Sequence, residues 1–246
     1  MDGVLMQLPK LSSAVAALAL TSCLAAAAAE TGNLSFKSLG AGWRLATFPQ
    51  QSMPLTRYSD AVEDGRLALR LEARQSYSPL VKAFNPPIAL TRLAWSWRVS
   101  QQSDAIDLRT KAGDDTAAKV CVSLAWPDAW VPFVERQLLF FARVRTGEDL
   151  PGATLCWVWA GDEATQSTVV NAYTRRVRSV VLRSRTEVGK SWFDEQRDVM
   201  KDLRQAFGDE WPATAPAPRV TAIFLAADAD NTASHSIGWI AALRYE

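Results

Sequence analysis

Apolar and polar positions alternate along most of this chain. In residues 66–72, Leu67, Leu69 and Leu71 are set between polar or small neighbours. Leu93, Trp95, Trp97 and Val99 alternate in the same way with Ala94, Ser96 and Arg98. A period of two sends successive side chains to opposite faces of a sheet, so both segments predict half-buried antiparallel strands. Residues 155–160 are apolar at every position, which predicts a central strand covered on both faces. Residues 177–183 and 220–227 predict two more strands, and Ile237, Trp239, Ala241, Leu243 and Tyr245 a last one.

One helix is predicted from its punctuation. Asp198 can cap it, Val199, Leu203 and Phe207 fall on one face, and Gly208 can end it. Residues 134–144 fit helix and strand equally well. Residues 211–218, rich in Pro and Ala, predict an extended surface loop. No internal repeat or long linker interrupts residues 33–246. Many short strands with a single helix predict one mainly β domain, a β-sandwich of jelly-roll type with one short helix.

The N-terminus has a different pattern. Residues 11–20 form a short apolar stretch after Lys10, with Asp2 an unusual acidic neighbour, and Met6 offers a second start. Small residues follow, which predicts a secretory signal rather than a spanning helix. Two processing sites compete. Cleavage after Ala29 would make residues 1–29 a signal peptide and leave 30–246 as the mature domain. Leu20-Thr21-Ser22-Cys23 resembles a lipobox, in which residues 1–22 are removed and Cys23 carries the lipid. Both readings place the protein in the bacterial periplasm or envelope, and the second gives it a lipid anchor as its contact with the membrane.

Composition narrows the classes further. Of 246 residues, 48% are hydrophobic and 22% charged, as in a folded soluble protein. With 27 Lys and Arg against 26 Asp and Glu, there is no electrostatic case for a nucleic-acid partner. Arg175, Arg176, Arg178, Arg183 and Arg185 cluster, but they alternate with apolar residues and predict the charged outer face of a half-buried strand. Three cysteines and one histidine at wide spacing give no zinc pattern. Ten tryptophans favour a substantial core. In an oxidising compartment Cys121 and Cys156 could pair, or both could be buried thiols.

Candidate chemistry sits in three polar loops. They are Lys111-Ala112-Gly113-Asp114-Asp115, Asn171-Ala172-Tyr173-Thr174, and Asp228-Ala229-Asp230-Asn231-Thr232. Asp228, Asp230 and Asn231 have the alternate spacing that can offer oxygens to Ca²⁺, but the EF-hand glycine and terminal glutamate are missing, and Asp and Asn also make turns. Pairs among Asp114, Asp115, Asp228 and Asp230 could supply an acid and a base for glycan cleavage. His235 could act as a base or be merely solvated. Trp126 and Trp130 flank a Pro-Asp turn, where they either stack on a sugar or fold onto the core. Trp95, Trp97, Trp157 and Trp159 are expected in the core. No nucleophile elbow, zinc-protease or phosphate-loop pattern occurs.

Six motifs occur in a fixed order: Lys-x-Gly-Asp-Asp at 111–115, Trp157-Val158-Trp159-Ala160, Asn171-x-Tyr173-Thr174, Val181-Leu182-Arg183-Ser184, Glu195-x-Arg197-Asp198-Val199 leading to Ala206-Phe207-Gly208, and Asp228-x-Asp230-Asn231-Thr232. Over residues 36–246 the chain resembles the exported bacterial family known as domain of unknown function 3047. The resemblance implies an envelope location and a sandwich similar to carbohydrate-binding modules, and it implies no activity. The chain departs from that pattern with Ala233 and Ser234 after Asn-Thr, and with Ala241 and Ala242 near the end of the last strand.

The expected function is binding of a glycan or other small polar ligand by Lys111, Asp114, Asp115, Asn171, Tyr173, Asp228, Asp230 and Asn231. Lys111 would supply positive charge, the carboxylates acceptors, and Tyr173 a stacking face. This requires the three loops to meet at one end of the sandwich. The rivals are a polysaccharide hydrolase or lyase using two of the aspartates, and a structural envelope component without a ligand.

Overall fold

The computed structural model describes residues 34–47, 51–147 and 149–246. The N-terminal segment with the expected signal and Cys23 lies outside them. Residues Thr31–Glu246 make a compact unit of their own. Its strands are β1 (Leu34–Phe36), β2 (Gly40–Leu45), β3 (Arg57–Glu63), β4 (Arg66–Arg74), β5 (Leu80–Ile88), β6 (Arg92–Gln101), β7 (Ala118–Leu124), β8 (Ala153–Trp159), β9 (Thr168–Val170), β10 (Val177–Arg183), β11 (Phe193–Asp198), β12 (Val220–Ala226) and β13 (His235–Tyr245). Helix α1 (Phe133–Thr146) lies between β7 and β8 in sequence, and α2 (Val199–Phe207) follows β11.

The strands form two sheets. One has the order β1-β2-β5-β12-β7-β8-β10-β9, the other β11-β6-β13-β4-β3. Consecutive strands cross repeatedly between the sheets, as in a jelly-roll-like sandwich, and the expected mainly β fold is found. One neighbour pair, β8 with β10, is parallel. Its crossover, residues 160–176, carries one of the three polar loops.

Period-two alternation explains the packing. Leu93, Trp95, Trp97 and Val99 on β6 are all buried, as are Leu155, Trp157 and Trp159 on β8. The two sets meet between the sheets, with Trp95 5.7 Å from Trp157 and Trp97 5.6 Å from Trp159 by ring centroids. Tilted and edge-on indole pairs of this kind add about 0.5–1.5 kcal/mol each beyond the area they bury. The opposite face of β8 is covered too: Cys156 and Val158 pack with Ile106 and Leu108 from the segment before β7. That two-sided burial is why residues 155–160 are apolar throughout.

Several expectations are corrected. Among the described residues there are two α-helices, not one. The ambiguous stretch is α1, which starts at Pro132 and ends at Gly147, where φ is +69° and the backbone N–H donates to Arg143 O. A left-handed C-cap suits glycine because it has no Cβ to clash. Helix α2 matches its prediction. Asp198 caps it by accepting from Lys201 N, and Val199, Leu203 and Phe207 enter the core.

Two of the clustered arginines do not belong to an outer charged face. Arg176 and Arg178 are buried. Arg176 makes a two-pronged pair with Glu210 at 2.7 Å, and Arg178 bonds both Asp209 and Glu210 at 2.6 Å. They share a strand face with Val180 and Leu182, so this charge points inward and is neutralised there. Trp126 is buried against Trp130, Phe207 and Trp211 and offers no sugar platform. Cys121 and Cys156 lie opposite each other in the β7–β8 register and are disulfide-bonded.

Candidate functional site

The three polar loops meet, joined by side chains that reach from one to the next. The first is shaped by Gly113. A Cβ there would stand 2.6 Å from Asp107 N and 2.8 Å from Ala105 O, so only glycine lets the 105–107 backbone pass. Asp107 N donates to Gly113 O, and Thr110 accepts from Gly113 N. The turn then delivers Asp114 and Asp115 in succession.

Asp115 is fully buried and acts as a staple. Its Oδ1 accepts from Asn231 N and Asn231 Nδ2, and its Oδ2 from Thr232 N and Thr232 Oγ1. Asn231 Nδ2 also donates to Asp114 O. The loop at 228–232 is thereby fixed to the loop at 111–115.

Asp228 is the second anchor. Its Oδ1 accepts from Thr116 N at 2.6 Å and Thr116 Oγ1 at 2.7 Å, and its Oδ2 lies 2.5 Å from Lys119 Nζ. Lys119 Nζ also stands 4.8 Å from the centre of the Tyr77 ring. Burial alone would lower the Lys119 pKa; the Asp228 carboxylate outweighs it and holds the ammonium charged. Burial pushes the Asp228 carboxyl upward, against the pull of Lys119 and Thr116. Sequence reasoning missed Lys119, Thr116 and Thr232. Lys119 carried a readable signal, being the one charge in the otherwise apolar or small run 117–124.

The third loop closes the cluster. Asn171 Oδ1 accepts from Tyr173 N and Thr174 N, a turn built on its own side chain. Its Nδ2 donates to Asp114 Oδ2 at 2.5 Å. Tyr173 OH donates to Asn231 Oδ1 at 2.6 Å, and Lys111 Nζ lies 5.2 Å from the Tyr173 ring centre. All eight residues expected from sequence are therefore in or beside one network.

Their freedom to bind differs. Asp115 and Asp228 are consumed by internal bonds. Asp230 makes no side-chain hydrogen bond to another described residue, Lys111 has no ion-pair partner among them, and Tyr173 is 57% exposed. Burial, with the nearby Asp228 and Asp115 charges, raises the Asp230 pKa. Asp114 is half-buried; burial, reinforced by Asp228 and opposed by Lys119 and Asn171, pushes its pKa up to about 6. A cleft of about 490 Å³ runs beside the network, lined by Asn171, Tyr173, Thr174 and Arg175 on one side and by Leu138, Leu139, Ala142 and Leu150 on the other. That is the size of ordinary small-molecule pockets.

Among the described residues no three His, Cys, Asp or Glu side chains group to hold a metal ion. Asp228 turns to Thr116 and Lys119, while Asn231 turns to Asp114 and Asp115, so neighbours in sequence do not converge. His235 opens β13 and faces Glu72 at 3.1 Å and Gln101 at 3.3 Å.

A family model described as a protein of unknown function (DUF3047) matches residues 41–244. No curated protein matches the chain.

Proposed function

The chain belongs to the DUF3047 family, and we infer that this member is an exported protein that binds a glycan or other small polar ligand at the three-loop cluster. The observation that carries the reading is the division of labour among its acids. Asp115 and Asp228 are spent on holding the loops, which leaves Tyr173 and Lys111 exposed and Asp230 without a side-chain bond to another described residue, while Asn171 and Tyr173 join the cluster to the cleft. An exposed aromatic face with fixed acceptors and one cation suits the apolar C–H faces and hydroxyls of a sugar. The Cys121–Cys156 disulfide supports export, since such bonds persist where the surroundings are oxidising.

The test is binding of residues 31–246 to an array of envelope glycans, including peptidoglycan and lipopolysaccharide fragments. The expected result is a specific ligand whose binding is lost in Asp230→Ala and in Tyr173→Ala. A blank array with folded protein removes the sugar reading and favours a structural role. One observation favours a hydrolase or lyase as the second reading: a carboxyl near 6, bonded to Asn171 of the cleft wall and close to other aspartates, is suited to trade protons near neutral pH. Turnover of a bound glycan, abolished in Asp114→Asn with binding retained, would establish it.

A further inference from the structure

The cleft beside the three-loop cluster has two unlike walls. Part of one comes from α1, where Leu138 and Ala142 stand one turn apart with Leu139 beside them, and from Leu150 and Pro151 beyond the helix. These groups are all aliphatic. The other wall comes from the segment that leads into β10, with Asn171, Tyr173 and Thr174. Leu139 is the one α1 side chain that is buried, and Leu138 is 59% exposed. The aliphatic groups therefore border an open space of about 490 Å³ instead of closing on a packed layer. An apolar lining with a few polar groups, around a space of this size, is the ordinary make-up of a ligand pocket.

The cleft is continuous with the loops. Asn171 Nδ2 donates to Asp114 Oδ2 and Tyr173 OH to Asn231 Oδ1, and both residues line the cleft. A ligand held at the loops has this aliphatic space next to it.

The lining also includes a donor without a partner. Arg176 lines the cleft and is only 5% exposed. Its two terminal nitrogens donate to Glu210, but its buried Nε makes no hydrogen bond to any described residue. Glu135 Oε2 is 3.8 Å from that Nε and Glu135 Oε1 is 3.9 Å from Arg175 Nε, beyond hydrogen-bond reach of either. A buried N–H left in this way gains when an acceptor arrives.

We propose that the cleft is a subsite for the acyl group of an acylated sugar whose ring sits at the three loops. The proposal rests on the ligand reading and names the class of ligand. An acyl group supplies both things the cleft lacks. Its chain covers the leucines, and its carbonyl oxygen accepts from Arg176 Nε once Glu135 turns aside. A bare sugar would leave the aliphatic wall in water. A free fatty acid lacks the ring for Tyr173, Lys111 and Asp230 to hold.

The test is calorimetric titration of residues 31–246 with N-acylglucosamines of rising chain length, from N-acetyl to N-octanoyl, below the concentrations at which they form micelles. A fully buried methylene strengthens binding about fourfold, so even in an open-sided cleft the whole series should gain about tenfold or more. Ala142→Phe fills the cleft from the helix, and Leu138→Ser removes an exposed part of its wall. Both should flatten the rise, and a circular dichroism melt checks that each variant is folded like the wild type. Asp230→Ala should weaken every member by one common factor and leave the rise intact. The proposal is overturned if no member binds, if affinity does not grow with chain length, or if it grows equally in the two wall variants. Free octanoate binding as tightly as N-octanoylglucosamine would overturn it too, because the ring would then contribute nothing. An array glycan that binds but gains nothing from an acyl group would overturn it and leave the ligand reading standing. Affinities unchanged in both Asp230→Ala and Tyr173→Ala would overturn the two together, because the ring would not then lie at the loops.

Discussion

Asp115 Oδ2 accepts both the backbone N–H of Thr232, at 2.8 Å, and its hydroxyl, at 2.6 Å, across 117 positions of sequence. With the two bonds from Asn231 to Oδ1, one carboxylate satisfies four donors in a site closed to water. A buried acceptor with that many partners is a structural joint. Asp230, only a few positions along the joined loop, has none of these duties.

The contrast separates folding from binding. Asp115→Ala leaves buried donors without a partner, each costing about 1–3 kcal/mol, and should lower stability by several kcal/mol in a urea titration. Asp230→Ala should leave the urea midpoint within experimental scatter while weakening ligand binding. Equal losses of stability in the two variants would mean that Asp230 is part of the frame.

Glu210 offers a second test of what holds the molecule together. Its carboxylate takes two bonds from Arg176 and one from Arg178, and both arginines are buried. Removing one partner of a buried pair leaves the other charge uncompensated. Glu210→Ala should therefore cost about 3–5 kcal/mol, with Glu210→Gln intermediate because it keeps an acceptor. A loss below about 1 kcal/mol, typical of exposed pairs, would place these arginines in water.

How much of this was readable from sequence depends on where the cause of each feature lay. Strands β6, β8 and β10 were legible because their alternation, or its absence, follows directly from which faces are covered. Strand β11 was not: Phe193-Asp194-Glu195-Gln196-Arg197-Asp198 is nearly all polar and exists because it adds to the edge of β6. The inward turn of Arg176 and Arg178 was hidden because the compensating Glu210 is more than thirty positions away. Helix α1 resisted assignment because its apolar residues face solvent, so its pattern did not answer to the core. The site loops were legible as a set, since Gly-Asp-Asp, Asn-x-Tyr-Thr and Asp-x-Asp-Asn-Thr are turn-forming polar runs. Which acids bind and which brace could be read only from their partners.

The disulfide gives a prediction about compartment as well as stability. Cys121 and Cys156 face each other across β7 and β8 with 35 positions between them. Loss of the bond by Cys121→Ala with Cys156→Ala should cost about 2–4 kcal/mol, through the greater freedom of the unfolded chain. Protein recovered from the periplasm should show no free thiol at either position after denaturation. Protein made in a reducing cytoplasm should show two, with a lower melting temperature that rises on oxidation.

The pH dependence of Asp114 follows from its surroundings, and its sign can be worked through. Its carboxyl titrates at about 6 in the folded protein against an ordinary value of 3.8, chiefly because burial disfavours the charge. Between those values the folded state holds a proton that the unfolded chain has released. The stability this proton provides is fully present below about pH 4, falls as pH rises, and is gone above about pH 6. Glu72 works in the opposite direction at lower pH. Its bonds to Arg70 and Arg74 hold it at about 2, so its contribution is present above about 4.5 and lost toward pH 2. Because Glu72 is unchanged in Asp114→Asn, it cancels when that variant is compared with the wild type. The melting temperature of Asp114→Asn minus that of the wild type should therefore grow from pH 4 to about pH 6 and then level off. A difference independent of pH would mean that Asp114 ionises as an ordinary exposed carboxylate. The acid–base reading of the site would then lose its basis, while the binding reading would stand.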